Sequence, residues 1–75
     1  MNNHYITISL DNNSICNEYA VDSRRKISDL LTELNININS NYILSGKQNR
    51  QINLKKTFID ESVFTGDLLI IREED

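Results

Sequence analysis

Two periodicities divide this chain. Over residues 23–34, SRRKISDLLTEL, the apolar residues Ile27, Leu30, Leu31 and Leu34 recur at i, i+3, i+4 and i+7, which gathers them on one face of an α-helix. The spacing predicts a helix over 23–34, with Asp22 or Ser23 as its N-cap and Asn35 beginning the exit, although no Gly or Pro marks the stop. Elsewhere the period is two. Residues 4–10 alternate Ile6, Ile8 and Leu10 with Tyr5, Thr7 and Ser9, the pattern of a half-buried strand. Asp11, Asn12, Asn13 and Ser14 predict a tight reversal. Residues 15–21 then return as a second strand, with Ile15, Asn17, Tyr19 and Val21 inward and Cys16, Glu18 and Ala20 outward.

After the helix, short apolar runs at 41–45 and 51–54 flank the turn residues Gly46 to Arg50, GKQNR, and predict a second hairpin. Phe58 and Val63 should pin the loop between them. Thr65, Gly66 and Asp67 read as a last turn. The segment 67–72, with LLII at its centre, is the most hydrophobic strand and should lie in the middle of a sheet, beside the first strand and parallel to it. The order β-β-α-β-β-β in one domain of 75 residues leaves no length for a second helical layer. An α+β fold with a mixed sheet of about five strands packed on one helix, the β-grasp arrangement, buries both amphipathic surfaces against each other.

Composition narrows the function. A net charge of −3 argues against nucleic acid, which selects basic surfaces. One cysteine, Cys16, makes neither an internal disulfide nor a four-cysteine metal site, and a reducing compartment is expected. No apolar run approaches the roughly 20 residues that span a bilayer, and no signal-peptide pattern opens the chain, so a cytoplasmic protein is expected. His4 has no second acid or base in register with it, and no catalytic constellation, cofactor motif or metal-ligand spacing is found. Asp60, Glu61 and Asp67 lack the dense oxygen loop that calcium requires and read as turn residues. An enzyme is not expected.

Several strings resemble ubiquitin: Ser45-Gly46-Lys47-Gln48 is similar to its turn after the third strand, and Phe58-Ile59-Asp60-Glu61-Ser62-Val63 to its apolar-x-Asp-x-x-apolar loop. Further strings look like the bacterial ubiquitin-like family called YukD or EsaB. They are Tyr19-Ala20-Val21, the six residues from Val21 to Ile27, Ile27-Ser28-Asp29-Leu30-Leu31, and Val63-Phe64-Thr65-Gly66-Asp67-Leu68-Leu69. That resemblance runs nearly end to end. It implies a small cytosolic component of Gram-positive type VII secretion systems, accessory or regulatory, whose partners are cytosolic parts of the secretion machinery. The segment 34–42 is shorter than in that family. Conjugated ubiquitin and sulfur carriers end in Gly-Gly, whereas here the sequence ends Arg72-Glu73-Glu74-Asp75, so a C-terminally activated carrier is the disfavoured alternative. An unrelated β-grasp binding module is the other.

The resemblance also implies a docking patch on the open face of the sheet. Aligned on Gly46-Lys47-Gln48, it puts Ile43 at the centre, with Ile70 beside it and Lys47 and Arg72 at the rim to steer an acidic partner. Arg24, Arg25 and Lys26, read as the first helical turn, are a secondary candidate surface, because cations at that end oppose the helix dipole. Sheet-edge strands leave self-association open.

Overall fold

The structure is a computed structural model that describes residues 4–74. Its first alternating stretch forms a hairpin of β1, Tyr5–Asn12, and β2, Ile15–Asp22, paired antiparallel without a bulge from Tyr5↔Asp22 to Asn12↔Ile15. The reversal needs only Asn13 and Ser14, at φ 55° and 67°. Positive φ at both central residues matches the twist of the flanking strands, and the Ser14 N–H donates to Asp11 Oδ1 at 3.0 Å. β1 therefore runs two residues past the expected end at Leu10. The inward phase of β2 is as read, yet only Val21 is buried and Tyr19 half-buried; Asn17 is exposed and Ile15 is 64 % exposed. Among the described residues nothing covers that distal half.

Helix α1 spans Ile27–Glu33, four residues shorter at its start than the periodicity predicts. Hydrogen bonds of other kinds, a local turn and tertiary contacts, claim the missing helical turn. Ser23 donates its N–H to the His4 carbonyl, Arg25 to that of Asp22, Ile27 to Lys56 and Ser28 to Leu54, while Lys26 bridges to Thr57. The N-cap is accordingly Lys26, in extended backbone and without a side-chain cap bond, and neither Asp22 nor Ser23 fills the role. The exit is where the sequence places it. Asn35 sits at φ 61°; its N–H reaches the Thr32 carbonyl and the Ile36 N–H that of Leu31. This pair of bonds closes a helix on a left-handed residue, with Asn standing where Gly is usual. Ile27, Leu30 and Leu31 are buried, and Leu34 and Ile36 pack against the core.

The rest of the sheet is β3, Asn41–Ser45, β4, Arg50–Ile52, and β5, Leu68–Glu73. Among the described residues the sheet has five strands in the order β2-β1-β5-β3-β4. β5 pairs parallel with β1 and antiparallel with β3, so the most apolar strand is the central one. Loop 53–67 has no regular element but is pinned as expected, with Phe58 and Val63 both 0 % exposed. Glu61 holds it from inside: its carboxylate accepts the Asn53 N–H and lies 3.6 Å from the Arg50 guanidinium, while its carbonyl accepts Gln48 Nε2 and Arg50 Nη2, each at 3.1 Å.

Candidate docking site

Strand parity decides which residues face away from the helix. On β5, Leu69 and Ile71 are buried, so Leu68, Ile70 and Arg72 project from the open face; on β3, Ile43 and Ser45 are buried, so Tyr42 and Leu44 do the same. Ile43 is thus corrected. It is 0 % exposed, lying between Ile71 of β5 and Ile52 of β4 in the core. The reason is the turn. Gly46 is not the left-handed residue here and still joins the ladder, donating its N–H to the Leu68 carbonyl at 2.9 Å. The positive φ belongs to Asn49, at 55°, whose N–H closes on the Ser45 carbonyl. Anchoring the alignment on Gly46 therefore slipped the strand by one residue, and a one-residue slip exchanges the faces.

Leu44 is the residue that belongs at the centre. It is the direct cross-strand partner of Ile70, and both are half-buried. Tyr42 stands opposite Arg72 on the same face, and Leu68, 37 % exposed, lies two residues before Ile70. Ser9 and Asp11 of β1 oppose Leu68 and Ile70 and form a polar border. Gly46 lets the turn approach: a Cβ there would lie 3.3 Å from the Leu68 carbonyl oxygen. Lys47 projects beside it, its side chain 69 % exposed and its ammonium 4.0 Å from Asp67 Oδ1. Asp67 itself is buried and accepts the Phe64 N–H at 2.8 Å, closing the turn before β5. The arrangement offers an apolar centre with cations at the margin and polar β1 residues beyond it. Its chemistry is desolvation, worth about 25 cal/mol for each Å² of apolar surface covered.

Arg24, Arg25 and Lys26 do not share a surface of that kind. They precede α1 instead of forming its first turn, which removes the expected conflict with the helix dipole. Arg24 grips Asp22 through Nε at 3.0 Å and Nη2 at 2.8 Å, and its backbone N–H donates to the same carboxylate. Arg25 reaches Glu33 at 2.6 Å. Hydrogen bonds from Arg24 hold the Asp22 carboxyl well below the usual carboxylate range. What the pair contributes to stability is present above the unfolded value near pH 4 and is lost as pH falls through the lowered folded value. Cys16 is exposed, and no helix among the described residues is long and apolar enough to cross a membrane.

With its helix clasped by a sheet of this strand order, the chain has the ubiquitin-like form of the β-grasp fold. A de novo protein designed on ubiquitin matches it with a TM-score of 0.77 at 13 % identity, over 93 % of this chain and 89 % of that one. The ubiquitin-like domain of an Arabidopsis thaliana protein gives 0.78 at 10 % identity, over 96 % and 80 %. The UBL domain of yeast Ddi1 gives 0.69 at 15 % identity, over 100 % and 95 %. At these identities the likeness is one of fold. No protein-family model and no curated protein matches the sequence.

Proposed function

We propose that this chain is a non-catalytic docking module that recognises a protein partner through the Tyr42, Leu44, Leu68 and Ile70 patch. The observation that carries the reading is the Leu44–Ile70 pair: two aliphatic side chains face each other on the side of the sheet that the helix leaves open. Lys47 and Arg72 at the margin favour a partner that is apolar at its centre and acidic around it. The stretches that look like YukD or EsaB support a narrower reading, in which the partner is a cytosolic part of a type VII secretion system and the protein is accessory or regulatory there.

Deleting the gene and quantifying the small helical type VII substrates in the medium tests both levels, with complementation by wild type and by Leu44→Asp. Leu44 is off the core, so the variant should fold, and an anchor at the centre of an interface is worth about 2 kcal/mol or more, roughly thirtyfold in affinity. Secretion restored by wild type but not by Leu44→Asp supports the pathway and the patch together. Unchanged secretion on deletion removes the pathway. Restoration by Leu44→Asp removes the patch.

A further inference from the structure

We infer that β2 is a self-pairing edge, through which two copies of this chain join antiparallel about a two-fold axis beside Tyr19. The argument begins with which backbone groups are free. Ser23 bonds to His4 across the hairpin, and in an antiparallel ladder such pairs recur at every second residue. Residues 15, 17, 19, 21 and 23 therefore bond to β1. Cys16, Glu18, Ala20 and Asp22 turn their N–H and C=O groups to the open side. β2 is the terminal strand of the sheet, and the Asp22 carbonyl is already used, accepting the Arg25 N–H. Of the devices that protect such an edge, β2 has only the charges of Glu18 and Asp22: its eight residues include no Lys, Pro or bulge.

Charge selects the register. A symmetric pairing centred on Glu18 sets that carboxylate against its own copy, and one centred on Ala20 sets Glu18 against Asp22. Centred on Tyr19, each acid meets an uncharged residue: Glu18 faces Ala20 and Asp22 faces Cys16. Like charges directly opposite each other are unfavourable, so the Tyr19 register is preferred. There the Glu18 and Ala20 positions exchange four hydrogen bonds, and the two Asp22 N–H groups reach Cys16 carbonyls for two more.

Burial points the same way. Ile15, 64 % exposed in the core-facing phase of β2, lands opposite Ser23 of the second copy and diagonal to its Val21, both buried. Each uncovered strand end is thereby set beside the end that the other copy backs with core. This two-fold arrangement closes on itself. It also puts both Leu44–Ile70 patches on one side of a continuous sheet, with the two β5 strands five inter-strand steps, about 24 Å, apart.

The contact is one strand of about 27 Å in length, at the low end of specific interfaces, so the dimer is weak, with a dissociation constant on the order of 100 µM. Sedimentation of the reduced protein up to about 1 mM, well above that constant, with amide exchange on the same samples, tests it. A dimer should form, with exchange at Glu18, Ala20 and Asp22 slowing as concentration rises, while Cys16, whose N–H would meet the Asp22 carbonyl already taken by Arg25, stays fast. Ala20→Lys, which meets Glu18 of the other copy twice, should tighten the dimer roughly threefold to tenfold, and Ala20→Glu should loosen it as much. Ala20→Pro deletes an outward N–H and should abolish it; Ala20→Glu keeps the test decisive if the proline variant fails to fold. A protein that stays monomeric with fast exchange at Glu18, Ala20 and Asp22 overturns the inference and leaves the edge to a strand from another protein. A dimer indifferent to Ala20→Lys and Ala20→Glu overturns it as well.

Discussion

Loop 53–67 and the distal β1–β2 hairpin contrast in a way that separates regularity from burial. The loop has no helix or strand, yet it carries Phe58, the largest fully buried side chain among the described residues, and Val63 beside it. The hairpin is the most regular part of the chain, but residues 12–18 are all exposed. Backbone order in the hairpin comes from cross-strand hydrogen bonds and a two-residue turn, which need no core. Order in the loop comes from apolar side chains seated in the core and from Glu61, Gln48 and Arg50 satisfying its backbone. The lesson is confined to these two stretches: the irregular loop contributes side chains to the core, and the regular hairpin tip is left with free surface.

Substitutions can break that contrast, and the largest effect belongs to the loop. Phe58→Ala should cost about 3–5 kcal/mol, enough to unfold a domain of this size or nearly so, as read by chemical denaturation. Glu61→Ala comes next. It leaves the exposed Asn53 N–H to water and removes the carboxylate beside Arg50, and should cost about 0.5–1.5 kcal/mol, with faster amide exchange across residues 50–62. Ile15→Ser is the smallest. Measured at dilution it should lie within about 0.5 kcal/mol of wild type, although Ile15 is as apolar as any core residue. A loss of more than about 1 kcal/mol there would mean that the hairpin tip does contribute to the core and that the contrast is false.

Much of this was legible in the sequence, for identifiable reasons. Period-two alternation fixed β1 and β2, the unbroken run LLII fixed the central strand, and Phe58 and Val63 stood out as apolar residues among polar ones. Helix start and patch centre were not legible from the same signals. Residues 23–26 have helical composition, and what stops them is tertiary: bonds from Ile27 and Ser28 to the carbonyls of Lys56 and Leu54, far along the chain. The patch centre turned on a single-residue register. Tyr42-Ile43-Leu44 is apolar throughout, so alternation is silent there, and Gly46 invited the wrong anchor. Ser45 was the available clue. A small hydroxyl that is 1 % exposed and accepts the Gln48 N–H takes the inward phase and sends Leu44 outward, but its burial is visible only once the turn is seen.

The central place of β5 also sets a schedule. As the chain leaves the ribosome, β1–β2 and β3–β4 emerge as separate hairpins that share no ladder with each other. The strand that joins them is the last of the six elements to be made. Synthesis at about 5–20 residues per second gives α1 seconds in which only the first hairpin and half of its cover exist, with Ile8, Leu10 and Leu31 still open. The sheet is consequently completed late, and a chain halted before Leu68 has two hairpins and no strand to join them into one sheet.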